Sequence, residues 1–357
     1  MPRFESGWST PPEPVEVASD VPRENLLIYQ RLYQLERWLR EMVYLELFAA
    51  FGYDWETEYA RRMGQQKPGS KNPKKERDKA LTHMRTKEER ILAYADLSNL
   101  FTVIYDKQTA TIDGLFAPYF PPGSVFGGKL EEILFIRHRV MHCRTVHASD
   151  HDRVIQFLKD IDQGFWSWCT SYNGSRISNS ADHNDPVGAR FLELDPMRSN
   201  VVDDSEPVAV QIEYSARPTA RGVHDWWRQA PGEQSWLYHV SFYGNPGSER
   251  QIDSKMFLRN TRGLHSRSIY IHVGETRIEI ALPRVADAAD ILKLVETLYD
   301  AARHCSFRSG REPLAASEYE RLTRAYPEQI LGPENPLSFL CPDMPCSWFG
   351  LDVELLP

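Results

Sequence analysis

From Arg23 onward, apolar side chains return every three or four residues: Leu26, Leu27, Tyr29, Leu32, Tyr33, Leu35, Leu39, Met42, Val43, Leu45 and Leu47. No proline interrupts them before Gly52, so the spacing predicts one long helix. The same period predicts a second helix from about Glu88 to Tyr105, carried by Ile91, Leu92, Tyr94, Ala95, Leu97, Leu100, Phe101 and Ile104. Ala117 to Gly123 contains Pro118, Pro121 and Pro122 and reads as a stiff turn. Ser124 is the expected entry cap of a third helix, through Leu130, Ile133, Leu134 and Ile136. Ser149 or Asp150 caps a fourth, with Val154, Ile155, Phe157, Leu158, Ile161, Phe165 and Trp166 as its apolar face.

The pattern then changes. Residues 173–206 are rich in Asn, Ser, Asp and Gly and read as a linker. Beyond it, Val208–Tyr214, Trp236–Tyr243 and Lys255–Leu258 are short runs rich in β-branched and aromatic residues. Ser268–Val273 and Thr276–Leu282 alternate apolar and polar positions across Gly274 and Glu275, as a two-residue hairpin of the Gly-first type does. Asp287 and Asp290 suit the first turn of a helix from Ala288 to about His304, with Ile291, Leu294, Val295, Leu298 and Ala302 on one face. The expected class is α+β, with a helical bundle over 22–172 followed by a smaller domain with an antiparallel sheet over 207–307. Residues 1–21, with Pro2, Pro11, Pro12 and Pro14, read as an arm. Residues 308–357 read as a helix and an irregular tail that packs Phe339, Trp348 and Phe349 onto a domain or a second subunit.

Composition narrows the functional classes. The chain has 357 residues, enough for about two domains, with ordinary fractions of charged (26%) and hydrophobic (41%) residues. A net charge of −8 excludes a protein that coats nucleic acid over its whole surface, so any RNA contact must be local. The exception to the acidic balance is 64–79, where Lys67, Lys71, Lys74, Lys75, Lys79 and Arg77 gather around Pro68, Gly69 and Pro73. That stretch reads as a basic loop suited to phosphate contacts. Five scattered cysteines fit a reducing compartment. No stretch approaches 18 uncharged apolar residues and the start lacks the apolar core of a signal peptide, so a cytoplasmic protein without a membrane span is expected.

The candidate chemistry sits at the end of the third predicted helix. Arg137 to Arg144 holds three arginines, Arg137, Arg139 and Arg144, and two histidines, His138 and His142, directly behind the apolar run Ile133 to Ile136. RNA cleavage by its own 2′-hydroxyl needs a group that moves a proton and a group that holds the growing phosphate charge. Histidine suits the first task, since its unperturbed pKa of about 6.5 lies near working pH. Arginine suits the second, because its planar fork stays charged and grips two oxygens. Residues five apart in a straight helix point about 140° away from each other, so Arg137 and His142 do not share one face of an unbroken helix. Either the helix ends or bends near Met141, or two chains contribute to one cleft. Two other readings stay open: the charged end of an amphipathic helix, and a metal set drawn from His138, His142, His147 and His151. No glutamate sits between His138 and His142 as a zincin requires, and the expectation is no metal and no cofactor.

The Arg-x4-His spacing with polar His138 after the arginine resembles the signature of the HEPN superfamily of helical nucleotide-binding and ribonuclease domains. Leu35 to Glu41 is similar to the opening helix of those domains, where an acidic residue faces the cleft; Glu36 is the candidate, with Glu41 in reserve. The resemblance covers about 22–172 and implies a metal-independent endoribonuclease, dimeric through the helical domain, of the toxin or antiphage abortive-infection type. It implies that Arg137 and His142 act on the phosphodiester, that His138 orients one of them, and that Arg144, Arg139, Lys71, Lys74 and Lys75 hold the RNA. The second domain would sense a trigger protein or ligand. The rival is a non-catalytic module that binds a nucleotide or protein. His224, Asp225, Trp226, Trp227, His239 and His265 have no fixed mutual spacing and read as structural or surface residues.

Overall fold

The computed structural model describes residues 22–64, 73–83, 90–172, 177–180, 184–195, 206–216, 235–245, 250–274, 276–308, 316–325, 329–332, 335–340 and 347–351. The class is α+β. The chain divides into two compact units: residues 1–47, 55–168 and 342–357 form the first, and residues 48–54 and 169–341 the second.

The first unit is helical. Helix α1 runs Arg23–Phe51, as its uninterrupted period predicts, and ends at Gly52, whose φ of +56° is a conformation that favours glycine. Helices α2, Trp55–Met63, and α3, Pro73–His83, follow. Helix α3 corrects the expectation of a loop through Lys79. Pro73 stands at its first position, where a missing N–H costs nothing, so the proline starts a helix instead of breaking one.

The helix expected from Glu88 to Tyr105 is divided; residues 84–89 lie outside the described residues. A 3-10 turn at Ile91–Tyr94 is followed, after Ala95 and Asp96, by α4, Leu97–Ile104. Asp96 accepts from the Asn99 N–H at 2.9 Å, and the Asn99 side chain accepts in return from the Asp96 N–H at 3.1 Å. This capping box starts a new helix where apolar spacing alone reads as continuous.

A two-residue hairpin pair, β1 at Tyr105–Asp106 and β2 at Thr111–Ile112, leads to a 3-10 turn at Ala117–Tyr119 and then to α5, Gly123–Met141. Pro122 is the entry residue of α5, so Ser124 lies inside its first turn and is not the cap. Helix α6 spans Asp150–Tyr172. The core of this unit is aromatic: Phe101, Phe120, Phe126, Phe157 and Phe165 meet edge to face or tilted. Trp348 and Phe349 of the tail are buried against Trp38, Phe165 and Trp168. The Asp162 carboxylate accepts from the N–H groups of Trp348 and Phe349 and from the Ser347 hydroxyl, at 2.8–3.0 Å, which fixes the tail as a strap.

The second unit is built on a six-stranded sheet ordered β10-β7-β8-β5-β4-β3, in which β10 pairs in parallel with β7 and the other pairings are antiparallel. Its strands are β3 at Ile177–Ser180, β4 at Val208–Ala216, β5 at Ser235–Gly244, β7 at Tyr270–Val273, β8 at Arg277–Pro283 and β10 at Ile330–Leu331. Residues 173–206, expected as a linker, contribute β3 and a short helix, α7, at Pro186–Phe191. Asp185 starts α7 by accepting from two N–H groups of its first turn and also accepts from Tyr238 at 2.9 Å. Strands β6 at Arg250–Ile252 and β9 at Ser306–Arg308 form a separate antiparallel pair. Lys255–Leu258, expected as extended, belongs to helix α8, Ser254–Asn260, because Asp253 caps it through the Met256 N–H.

Helix α9, Ala288–His304, carries the buried face Ile291, Leu294, Val295, Leu298 and Ala302. These side chains join one core with Val210, Ile212, Tyr238, Val240, Phe242, Ile278, Ile280 and Leu282 of the sheet. Two further helices are α10, Ala316–Ala325, and α11, Pro336–Phe339. Among the described residues no helix is long and apolar enough to cross a membrane.

Candidate functional site

Helix α5 presents its motif on two sides. Ile133, Ile136 and Val140 are buried, so the residues between them take the flanks. Arg137 lies on the flank that faces α1: its Nη2 donates to Glu36 Oε2 at 3.3 Å. Glu36 is held from its own helix as well, because Arg40, one turn on, forms an ion pair with Oε1. Arg40 also donates from Nε and Nη2 to the Ala95 carbonyl at 3.0 and 2.9 Å, the break before α4. The acid expected in the cleft therefore does meet the motif arginine, 101 residues away in sequence. Glu41, the reserve, points elsewhere and pairs with Arg90 at 3.6 Å. The Arg137 Nε is buried and has no hydrogen-bond acceptor, which leaves its fork with donor capacity that Glu36 does not use.

The two histidines lie on the other flank. His138 and His142 are both exposed, and their ring centroids are 4.4 Å apart at 57°. Desolvation, followed by the positive charges of His142, Arg144 and Arg137, lowers the His138 imidazole below its ordinary range.

The end of the helix explains this arrangement. The His142 N–H still bonds to the His138 carbonyl, so His142 keeps helical register although α5 ends at Met141. Arg144 N–H reaches the Arg139 carbonyl at 2.9 Å and Cys143 N–H reaches the Val140 carbonyl at 3.1 Å. Those two bonds form a Schellman closure. Cys143 occupies its left-handed position, φ +53°, where glycine is usual. The helix thus ends without bending Arg137 toward His142, and one chain keeps the two groups on different flanks.

The remaining candidates differ in their surroundings. Arg139 is clamped by the Asp150 carboxylate, both of whose oxygens lie 2.6 Å from its Nη2. Asp150 is buried and also accepts from the His147 N–H, so Arg139 ties the end of α5 to the start of α6. This commitment occupies the Arg139 guanidinium with a structural contact. Arg144 is exposed and has no carboxylate partner among the described residues. Lys74 and Lys75 are exposed on α3, whereas Lys71 lies outside the described residues. Among the described residues no group of three or more His, Cys, Asp or Glu is placed to hold a metal ion.

Sequence reasoning passed over a second polar cluster, on the face of the large sheet opposite the α9 core. His239 is fully buried: its Nε2 lies 3.0 Å from Ser215 Oγ and its Nδ1 3.2 Å from Glu279 Oε1. The single Tyr270 hydroxyl proton has two acceptors in reach, the Tyr172 carbonyl at 2.9 Å and Glu279 at 3.1 Å. Burial by itself raises the Glu279 carboxyl, but the hydrogen bond and charge of His239, with Arg277 and His272, outweigh it and hold the carboxyl at about 2. Strand alternation brings Ser215, His239 and Glu279 to one face, a signal that sequence carries only once strand order is known. His265 is also buried and lies 3.1 Å from the Thr261 hydroxyl. Reading His239 and His265 as structural agrees with their packing, while His224, Asp225, Trp226 and Trp227 lie outside the described residues.

Comparisons with protein-family models, curated proteins and solved structures return no match.

Proposed function

We propose that the protein is a metal-independent endoribonuclease of the HEPN type that acts as a dimer. The observation that carries this reading is the anchored fork of Arg137: Glu36 fixes its position while one buried donor stays unsatisfied. Within one chain His142 lies on the opposite flank of α5, so the composite cleft pairs Arg137 of one subunit with His142 of the other. In the reaction an imidazole, His142, takes the proton of the RNA 2′-hydroxyl. The 2′ oxygen bonds to phosphorus, the bond from phosphorus to the 5′ oxygen breaks, and the departing oxygen takes a proton from the imidazolium, which returns to its neutral form. The products are a 2′,3′-cyclic phosphate and a 5′-hydroxyl. Arg137 stabilises the charge that builds on the phosphoryl oxygens. His138, kept toward its neutral form, orients or exchanges the proton with its neighbour. Arg144 supplies a further phosphate contact, and the second unit is the proposed sensing part, with a protein or ligand as trigger.

His142→Ala and Arg137→Ala test the reading in cleavage assays with end sequencing of the fragments. Loss of cleavage with dimerisation unchanged supports it, and full cleavage by His142→Ala removes that residue from the mechanism. Indifference of wild-type activity to a chelator separates this chemistry from a metal hydrolase. If wild-type protein binds RNA or nucleotide without cutting it, the non-catalytic module is the better description.

A further inference from the structure

We infer that Phe135 is the platform on which an unpaired RNA base stacks beside the two histidines, and so determines which nucleotide is presented for cleavage. This deepens the ribonuclease reading and rests on it for the cleavage step, though not for binding. Phe135 is 68% exposed, the most exposed large hydrophobic side chain among the described residues. It sits three residues before His138 and seven before His142, so the three share one exposed stripe of α5. Phe135 and His138 are separated by about 4.5 Å along the helix axis.

Charge points to an RNA partner and to this end of the helix. Toward the start of α5, Lys129, Glu131 and Glu132 are each matched by an opposite charge, on Asp160, Lys107 and Arg153 respectively. Past Phe135, His138, His142 and Arg144 have no carboxylate partner among the described residues. An exposed ring followed by two imidazoles and the unmatched Arg144 guanidinium suits a strand whose base turns toward the ring and whose phosphate turns toward Arg144. A base inside a duplex offers no free face, so the occupant is single-stranded.

The test uses full-length protein and short 2′-O-methyl RNA, which cannot be cleaved at the modified ribose, with 2-aminopurine as the reporting base. Phe135→Ala should bind the single strand roughly tenfold more weakly, leave duplex binding unchanged, and lose the quenching of the reporter. Phe135→Trp should restore affinity and quenching. On cleavable single-stranded RNA, Phe135→Ala should raise KM more than it lowers kcat. Equal single-strand affinity of wild type and Phe135→Ala overturns the inference, as does the absence of any single-strand binding by wild type. Loss of dimer in Phe135→Ala by sedimentation, with affinity per dimer intact, also overturns it and assigns the ring to self-association. Because the binding arm needs no turnover, a failed nuclease reading, shown by full cleavage in His142→Ala, is separable from a failed stacking role.

Discussion

Replacing Glu279 by alanine removes the acceptor at the centre of a buried polar cluster. Its side chain is 4% exposed and takes hydrogen bonds or charge contacts from His239, Tyr270 and Arg277. The substitution removes the carboxylate that faces the buried His239 ring and Arg277, while the Tyr270 hydroxyl keeps the Tyr172 carbonyl, at a cost of about 3–5 kcal/mol by analogy with broken buried pairs. For a unit of this size that corresponds to a melting shift of about 10 °C. The pH dependence provides an independent measure. The folded carboxyl lies at about 2, below its ordinary 4.5, so the stabilisation is present above 4.5 and is lost as pH falls through 2. The difference amounts to about 3 kcal/mol. Denaturant titrations of wild type and Glu279→Ala between neutral pH and pH 2, with hydrogen exchange followed at β5 and β8, measure both effects. The wild type should lose stability across that window, and the variant should lose less. Equal stability of the two proteins at neutral pH, or parallel pH profiles, would refute the assignment of Glu279 as the charged centre of the cluster.

Arg139→Ala should lower the unfolding midpoint, since it leaves the buried Asp150 carboxylate without its clamp, at about 3 kcal/mol. Arg144→Ala should keep the midpoint and instead weaken RNA binding and its salt dependence, measured by anisotropy at two ionic strengths. Cys143→Gly relieves a left-handed non-glycine residue and should stabilise the protein by about 0.5–1 kcal/mol in chemical denaturation, whereas Cys143→Val should destabilise it. Gly164→Ala should destabilise the helical unit by about 3 kcal/mol, because an added Cβ would meet the Tyr119 carbonyl where α6 crosses the 3-10 turn at Ala117–Tyr119.

Local patterns were enough where one residue type settles the geometry. The period of α1 and the helix started by Asp287 follow from spacing and caps within a few residues, and both stand in the fold. The antiparallel pairing of β7 with β8 stands too, although Val273 faces Ile278 and the two-residue turn expected at Gly274 and Glu275 is not the one formed. Where two local signals compete, apolar spacing loses. Asp96 divides an apparently continuous helix, Pro73 opens one where a loop is expected, and Asp253 turns an apolar run into α8. The motif itself was legible as Arg137, His138 and His142. Its setting was not, because Glu36 and Asp150 reach Arg137 and Arg139 only after α1 and α6 have packed on α5. That packing fixes one arginine toward an acid with a donor to spare and commits the other to a clamp. The buried trio of Ser215, His239 and Glu279 is likewise decided by which strands pair and in what register. Chain spacing specifies local conformation, whereas hydrogen-bonded partners of charged groups depend on contacts between distant segments, and burial then makes those contacts costly to leave unmade.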